Sequence, residues 1–124
     1  MAKNKIHVQL DGARYCNIQV YNNQKVVHIN KMNDNGKMYD LHANQQAIKE
    51  LSPAAFVLYS HLLHNKHDWL EAISKKRIGE MTALGGRSYD RAIEELIAKK
   101  YLIQKDHVDY EHYYEFYEIP DGKS

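Results

Sequence analysis

The stretch Ile78–Leu102, IGEMTALGGRSYDRAIEELIAKKYL, decides how the rest of the chain is read. Apolar Ile78 and Met81 lie one helical turn apart, and Thr82-Ala83-Leu84-Gly85 then interrupts the pattern as a tight turn. Beyond it, Tyr89, Ala92, Ile93, Leu96 and Ile97 recur at spacings of three, one, three and one, the stripe of an amphipathic helix. The opposite face of that helix carries Arg87, Asp90, Arg91 and Glu94, and Lys99 and Lys100 in its last turn suit the negative end of the helix dipole. Two helices joined by a tight turn are predicted, with a charged face left free of packing duty.

Upstream, Ser52-Pro53 is a helix start, because Ser accepts an unpaired backbone N–H and Pro at the first helical position has none to lose. That helix is predicted to run to about Asn65, with Phe56, Tyr59, Leu62 and Leu63 on one face and Ala55 and Leu58 widening it. Lys66-His67-Asp68 ends it, Trp69–Ile73 reads as a short strand, and Ser74 caps the next helix. Downstream, Tyr101-Leu102-Ile103 returns to strand pattern, a polar tip follows at Lys105–Asp109, and Tyr110–Ile119 reads as a second strand. The first third is strand-like. Ile6, Val8 and Leu10 alternate with polar residues, Asp11-Gly12 favours a hairpin turn, and Arg14–Val20 and Val26–Ile29 complete a predicted antiparallel meander. Asn30–Gly36 reads as loop and Met38–Leu41 as one more short strand. The expected organisation is a strand-rich N-terminal extension over 1–50, a domain over 51–119 and a short tail over 120–124.

Helix, short strand, helix, tight turn, helix and hairpin is the order of a winged helix-turn-helix, an α+β fold. IGEMTALGGRSYDRAIEELIAKKYLI resembles the bacterial form of that motif: Gly79 fills the small-residue place after the first apolar position, and Leu84 the turn position at which the family buries a leucine. Ile93 and Leu96 match the core positions of the recognition helix. LSPAAFVLYSHLLHNK looks like the first helix of winged-helix domains in plasmid and phage replication, partition and regulatory proteins. The resemblance spans roughly Leu51 to Ile119. It departs from the family in two places: Gly85-Gly86 stands where many relatives have a Ser cap, and the wing region is acidic and aromatic where Arg or Lys is usual.

The resemblance implies sequence-specific binding of double-stranded DNA, without catalysis, by a homodimer that sets two recognition helices in successive major grooves. Arg87 and Arg91 are the base or phosphate candidates, Ser88 a phosphate donor, and Asp90 either a reader of cytosine or an orienter of Arg87 or Arg91. Lys75, Lys76 and Arg77, opening the preceding helix, are placed to meet the DNA backbone. The alternative is a protein-interaction module in which the acidic, Tyr-rich wing or the N-terminal strands bind a protein partner.

Charge distribution fits either reading. The 124 residues sum to +1, which argues against a wholesale polyanion binder. Resolved along the chain, residues 1–50 hold seven basic and four acidic side chains, 74–105 eight and four, and 106–124 one and six. No apolar run is long enough to span a membrane and no secretory signal is visible, so the expected compartment is the cytoplasm. Cys16 cannot form an internal disulfide and reads as a small packing residue. His61, His64 and His67 cluster without the Cys pair or HExxH of a zinc site and read as surface histidines. With no P-loop or GxGxxG, no cofactor is expected. Tyr114 and Phe116 read as wing core, and Tyr113 and Tyr117 as an exposed partner surface.

Overall fold

Val26 and Val27 are neighbours and both are fully buried, so the strand that holds them has core on both faces. In the computed structural model of the chain, residues 3–9, 15–21, 24–32, 37, 44–106 and 110–120 are described. They form β1 (Lys3–Gln9), β2 (Tyr15–Tyr21), β3 (Lys25–Asn30), α1 (Asn44–Glu50), α2 (Pro53–Leu63), β4 (Leu70–Ile73), α3 (Lys75–Met81), α4 (Gly86–Ala98), β5 (Leu102–Gln104) and β6 (Tyr113–Tyr117). The fold is α+β, with a four-stranded mixed sheet in the order β4-β3-β6-β5.

The meander expected from the first three strands is not formed. β1 and β2 make their own antiparallel ladder, with Ile6 opposite Ile18, while β3 joins the larger sheet as an inner strand. It runs antiparallel to β4, Val26 opposite Ala72, and parallel to β6, Val27 opposite Tyr114. The reason lies in its side chains: a strand apolar on both faces belongs inside a covered sheet, not in a half-exposed hairpin array. A strand from the stretch read as an N-terminal extension therefore lies between β4 and β6. The parallel pairing needs a long crossover, which the helices supply.

One face of the sheet packs against the helices. Val27 and Ile29 of β3, Ile73 of β4 and Tyr114 and Phe116 of β6 meet Ala55, Leu58, Tyr59 and Leu62 of α2 and Ala92, Ile93 and Leu96 of α4. Tyr59 is the hinge of this core, its ring edge-on to Tyr101 at 5.3 Å and tilted to Phe116 at 5.5 Å, while its hydroxyl donates to the Glu118 carbonyl at 2.8 Å. The other face carries a smaller core in which Val20 of β2 meets Val26, Leu70, Tyr110 and Tyr113.

Two differences from expectation concern single elements. α1 is not among the predicted helices, because NQQAIKE offers only Ala47 and, past its end, Leu51 to the core, too few apolar positions to show a period. It is held at its end by residues just past α4: Lys99 Nζ donates to the Glu50 carbonyl at 2.5 Å and Tyr101 Oη to the Glu50 carboxylate at 2.9 Å. Met81 and Ile97, read as stripe positions, are 54% and 40% exposed, each lying near the end of its helix where the core has tapered. The predicted strand Met38–Leu41, the Asp11-Gly12 turn and most of the 30–36 loop lie outside the described residues. No helix among the described residues is long and apolar enough to cross a membrane.

Candidate nucleic-acid interface

Two helix starts define the site. At α3, Ser74 has extended backbone and its hydroxyl accepts the Arg77 N–H at 3.2 Å. At α4, Gly85 stands at the cap with no side-chain bond, and only its carbonyl enters the helix, accepting from Tyr89 N at 2.9 Å. The intervening turn is fixed by Thr82, whose hydroxyl donates to the Ile78 carbonyl at 2.7 Å and accepts from Leu84 N at 3.1 Å. Leu84 is buried. A Cβ at Gly79 would sit 3.3 Å from the Leu84 carbonyl oxygen, so the turn presses close on α3 at the place where the sequence has its small residue.

This packing brings the first turns of α3 and α4 together. The Lys75 stem lies against the α4 start, where a Cβ at Gly86 would meet Lys75 Cδ at 3.2 Å. Lys75 Nζ donates to Asp90 Oδ2 at 2.9 Å, so Asp90 engages Lys75 and not Arg87 or Arg91. Both partners are over half exposed, and a pair of that kind contributes at most about 1 kcal/mol. Arg87 and Arg91, one turn apart, are exposed, as is Lys76, whereas Ser88 is half-buried. Behind them, Tyr89 is buried and its phenol is pushed up to about 12 by burial, the Asp90 charge adding to it, so it stays neutral.

Arg77 does not share this face. Two residues from Lys75 on α3, it lies on the other side of the helix and lines a hollow with His61, Glu71 and Trp69. There Glu71, largely buried, receives His61 Nε2 at 2.7 Å and Asn65 Nδ2 at 2.6 Å. Burial opposes ionisation of that carboxyl, yet the His61 and Asn65 hydrogen bonds and the His61 and Arg77 charges outweigh it and hold the group below its ordinary range.

The histidines are engaged within the fold. His61 pairs with Glu71, His64 Nδ1 lies 2.7 Å from the Ser60 carbonyl, and His67 Nδ1 accepts the Lys31 N–H at 3.0 Å. His61 is thus a part-buried partner of a carboxylate, not a surface residue. His28, which no sequence motif marks, lies 2.6 Å from buried Asp68. Asp68 adopts a left-handed conformation, φ 62°, and no periodicity advertises that.

The aromatic end is largely interior. Tyr114 and Phe116 join the helix-side core as expected, but Tyr113, expected to be exposed, is 7% exposed in the second core, because alternate residues of β6 face a sheet covered on both sides. Tyr110 is equally buried and donates its hydroxyl to the Gln24 carbonyl. The acidic strand is partly neutralised, with Lys105 Nζ 4.0 Å from Glu115. Residues 107–109, most of the polar tip, lie outside the described residues. No family model, curated protein or solved structure matches the chain.

Proposed function

We propose that the chain is a non-catalytic, sequence-specific binder of double-stranded DNA, in which α2, α3, α4 and the β5–β6 hairpin work as a winged helix-turn-helix. The observation that carries this reading is the juxtaposition of the first turns of α3 and α4, with Lys75, Lys76, Arg87 and Arg91 on exposed positions around it. Helix N-termini attract phosphate, and the adjoining cations strengthen that attraction. α4 has its packing stripe behind it, so Arg87 and Arg91 are free to enter a major groove, where a bidentate Arg–guanine pair discriminates bases by about 1–3 kcal/mol. The exposed Lys75–Asp90 pair is weak enough to open, which releases the ammonium for a phosphate and the carboxylate for a cytosine amino group. Arg77 is left out of this interface, since it lines the hollow on the other side of α3.

The test is selection of bound sequences from a random duplex pool, followed by gel shifts at about 50 mM salt, where phosphate contacts are strongest. Arg87→Ala combined with Arg91→Ala is expected to weaken the selected duplex by at least about tenfold. Unchanged affinity would remove α4 from the interface, and absence of any enriched duplex would remove the function. A regulator or a replication or partition accessory, acting as a homodimer, is the role this activity would serve, and the spacing of selected half-sites reports the dimer.

A further inference from the structure

Two hollows of about 560 and 640 Å³ adjoin each other through His61, His64 and Met81, forming one groove along α2, the end of α3 and β4. One half is apolar, lined by Phe56, Val57 and Ala83; the other carries Trp69, Glu71 and Arg77. Trp69 and Met81 are 43% and 54% exposed, two of the few large apolar side chains so placed among the described residues. Trp, Met, Phe and Arg are the side chains enriched at the cores of protein interfaces, and Trp and Arg dominate their energetics.

We propose that this groove docks a short acidic, hydrophobic segment of a protein partner. Charge complementarity selects the partner. Glu71 is already engaged by His61 and Asn65, so its negative charge is satisfied within the fold. The exposed cations at the rim are Arg77, which acts on Glu71 through its charge, and Lys66, whose ammonium lies 4.7 Å from the Trp69 ring centre. Glu80, the acidic neighbour on α3, does not line the groove. Arg77 and Met81 are one helical turn apart, with Cβ atoms about 5–6 Å from each other. The fitting segment therefore sets a carboxylate beside a large apolar anchor, the anchor entering the Phe56–Val57 half and the carboxylate meeting Arg77. The site is separate from the Lys75–Asp90 face and does not depend on DNA binding.

The test uses the full chain and a displayed library of random peptides. Enriched peptides are expected to place Asp or Glu next to Phe, Leu or Trp. Synthetic copies are then titrated against the chain while the fluorescence of Trp69, its single tryptophan, reports the groove directly. Met81→Lys, at an exposed position, is expected to melt like the parent, and Arg77→Glu somewhat lower because it sets a like charge near Glu71; both are expected to weaken the peptide by more than about tenfold. Exchanging the peptide's acid for Lys should restore part of the affinity for Arg77→Glu. No enrichment, enrichment of basic peptides, or equal binding to both variants overturns the proposal. So does an Arg77→Glu variant that loses DNA affinity while keeping the peptide, which would make the arginine a phosphate contact.

Discussion

Glu71 shows how a single buried charge becomes a pH dependence. Burial pushes its folded-state pKa up, but hydrogen bonds from His61 and Asn65, together with the nearby Arg77 guanidinium, outweigh that and hold it below the ordinary 4.5. The ionised carboxylate therefore stabilises the folded state above the ordinary value, and that stabilisation is lost as pH falls through the depressed one. Urea midpoints measured between neutral pH and about pH 3 are expected to drop less steeply for Glu71→Gln than for the parent chain. Equal slopes would mean that His61 and Asn65 do not favour the charged form. No residue near Glu71 in sequence signals this partnership: His61 arrives from α2 ten positions earlier, and only the packing of α2 on β4 joins them.

At the scale of elements, α4 has no side-chain cap at its start and no glycine at its left-handed end. Gly85 occupies the N-cap with no side chain to accept an N–H, whereas Lys100, just past the C-cap, takes the left-handed conformation at φ 72° that glycine adopts freely. The C-terminal bonds are those of a Schellman motif, Tyr101 N donating to the Leu96 carbonyl at 2.9 Å and Lys100 N to the Ile97 carbonyl at 3.1 Å. A Cβ at Gly85 meets nothing within 4 Å, and its φ of −76° suits any residue. Gly85→Ser is accordingly expected to raise stability by about 0.5 kcal/mol, through a cap bond and a less flexible unfolded chain. Lys100→Gly is expected to add about 0.5–1 kcal/mol by relieving the left-handed backbone. Thermal or urea unfolding of each variant measures both, and a destabilised Gly85→Ser would show that this helix start needs its glycine. The existence of α2, α3 and α4 was readable from caps and apolar spacing, since those signals are local. α1 was not, because a two-turn helix that buries one side chain leaves no period to detect.

The whole molecule depends on β3. It hydrogen-bonds to β4 on one side and β6 on the other, with Val26, Val27 and Ile29 fully buried. A fragment beginning at Leu51 would leave β4 and β6 with facing unpaired edges and expose the Tyr59, Tyr114 and Phe116 side of the core. Such a fragment is expected to lack a cooperative unfolding transition by circular dichroism. In the full chain, Ile29→Ala is expected to cost about 2–4 kcal/mol. A cooperatively folded 51–124 fragment would show that residues 51–119 are self-sufficient and that β3 is an accessory.

Taken by itself, the amino-acid sequence determined what local patterns can carry: the helix starts at Ser52 and Ser74, the amphipathic stripe of α4, the tight turn that separates it from α3, and the cationic side chains around two helix N-termini. These depend on spacing along the chain and on side-chain chemistry. Tertiary structure alone decided that β3 enters the sheet between β4 and β6, that Tyr113 faces a second core, that Asp90 meets Lys75, and that Arg77 turns to the groove with Glu71. Each of these depends on which distant segment fills the space beside a residue, and burial of apolar area, being non-directional, leaves that choice to the packing of the whole.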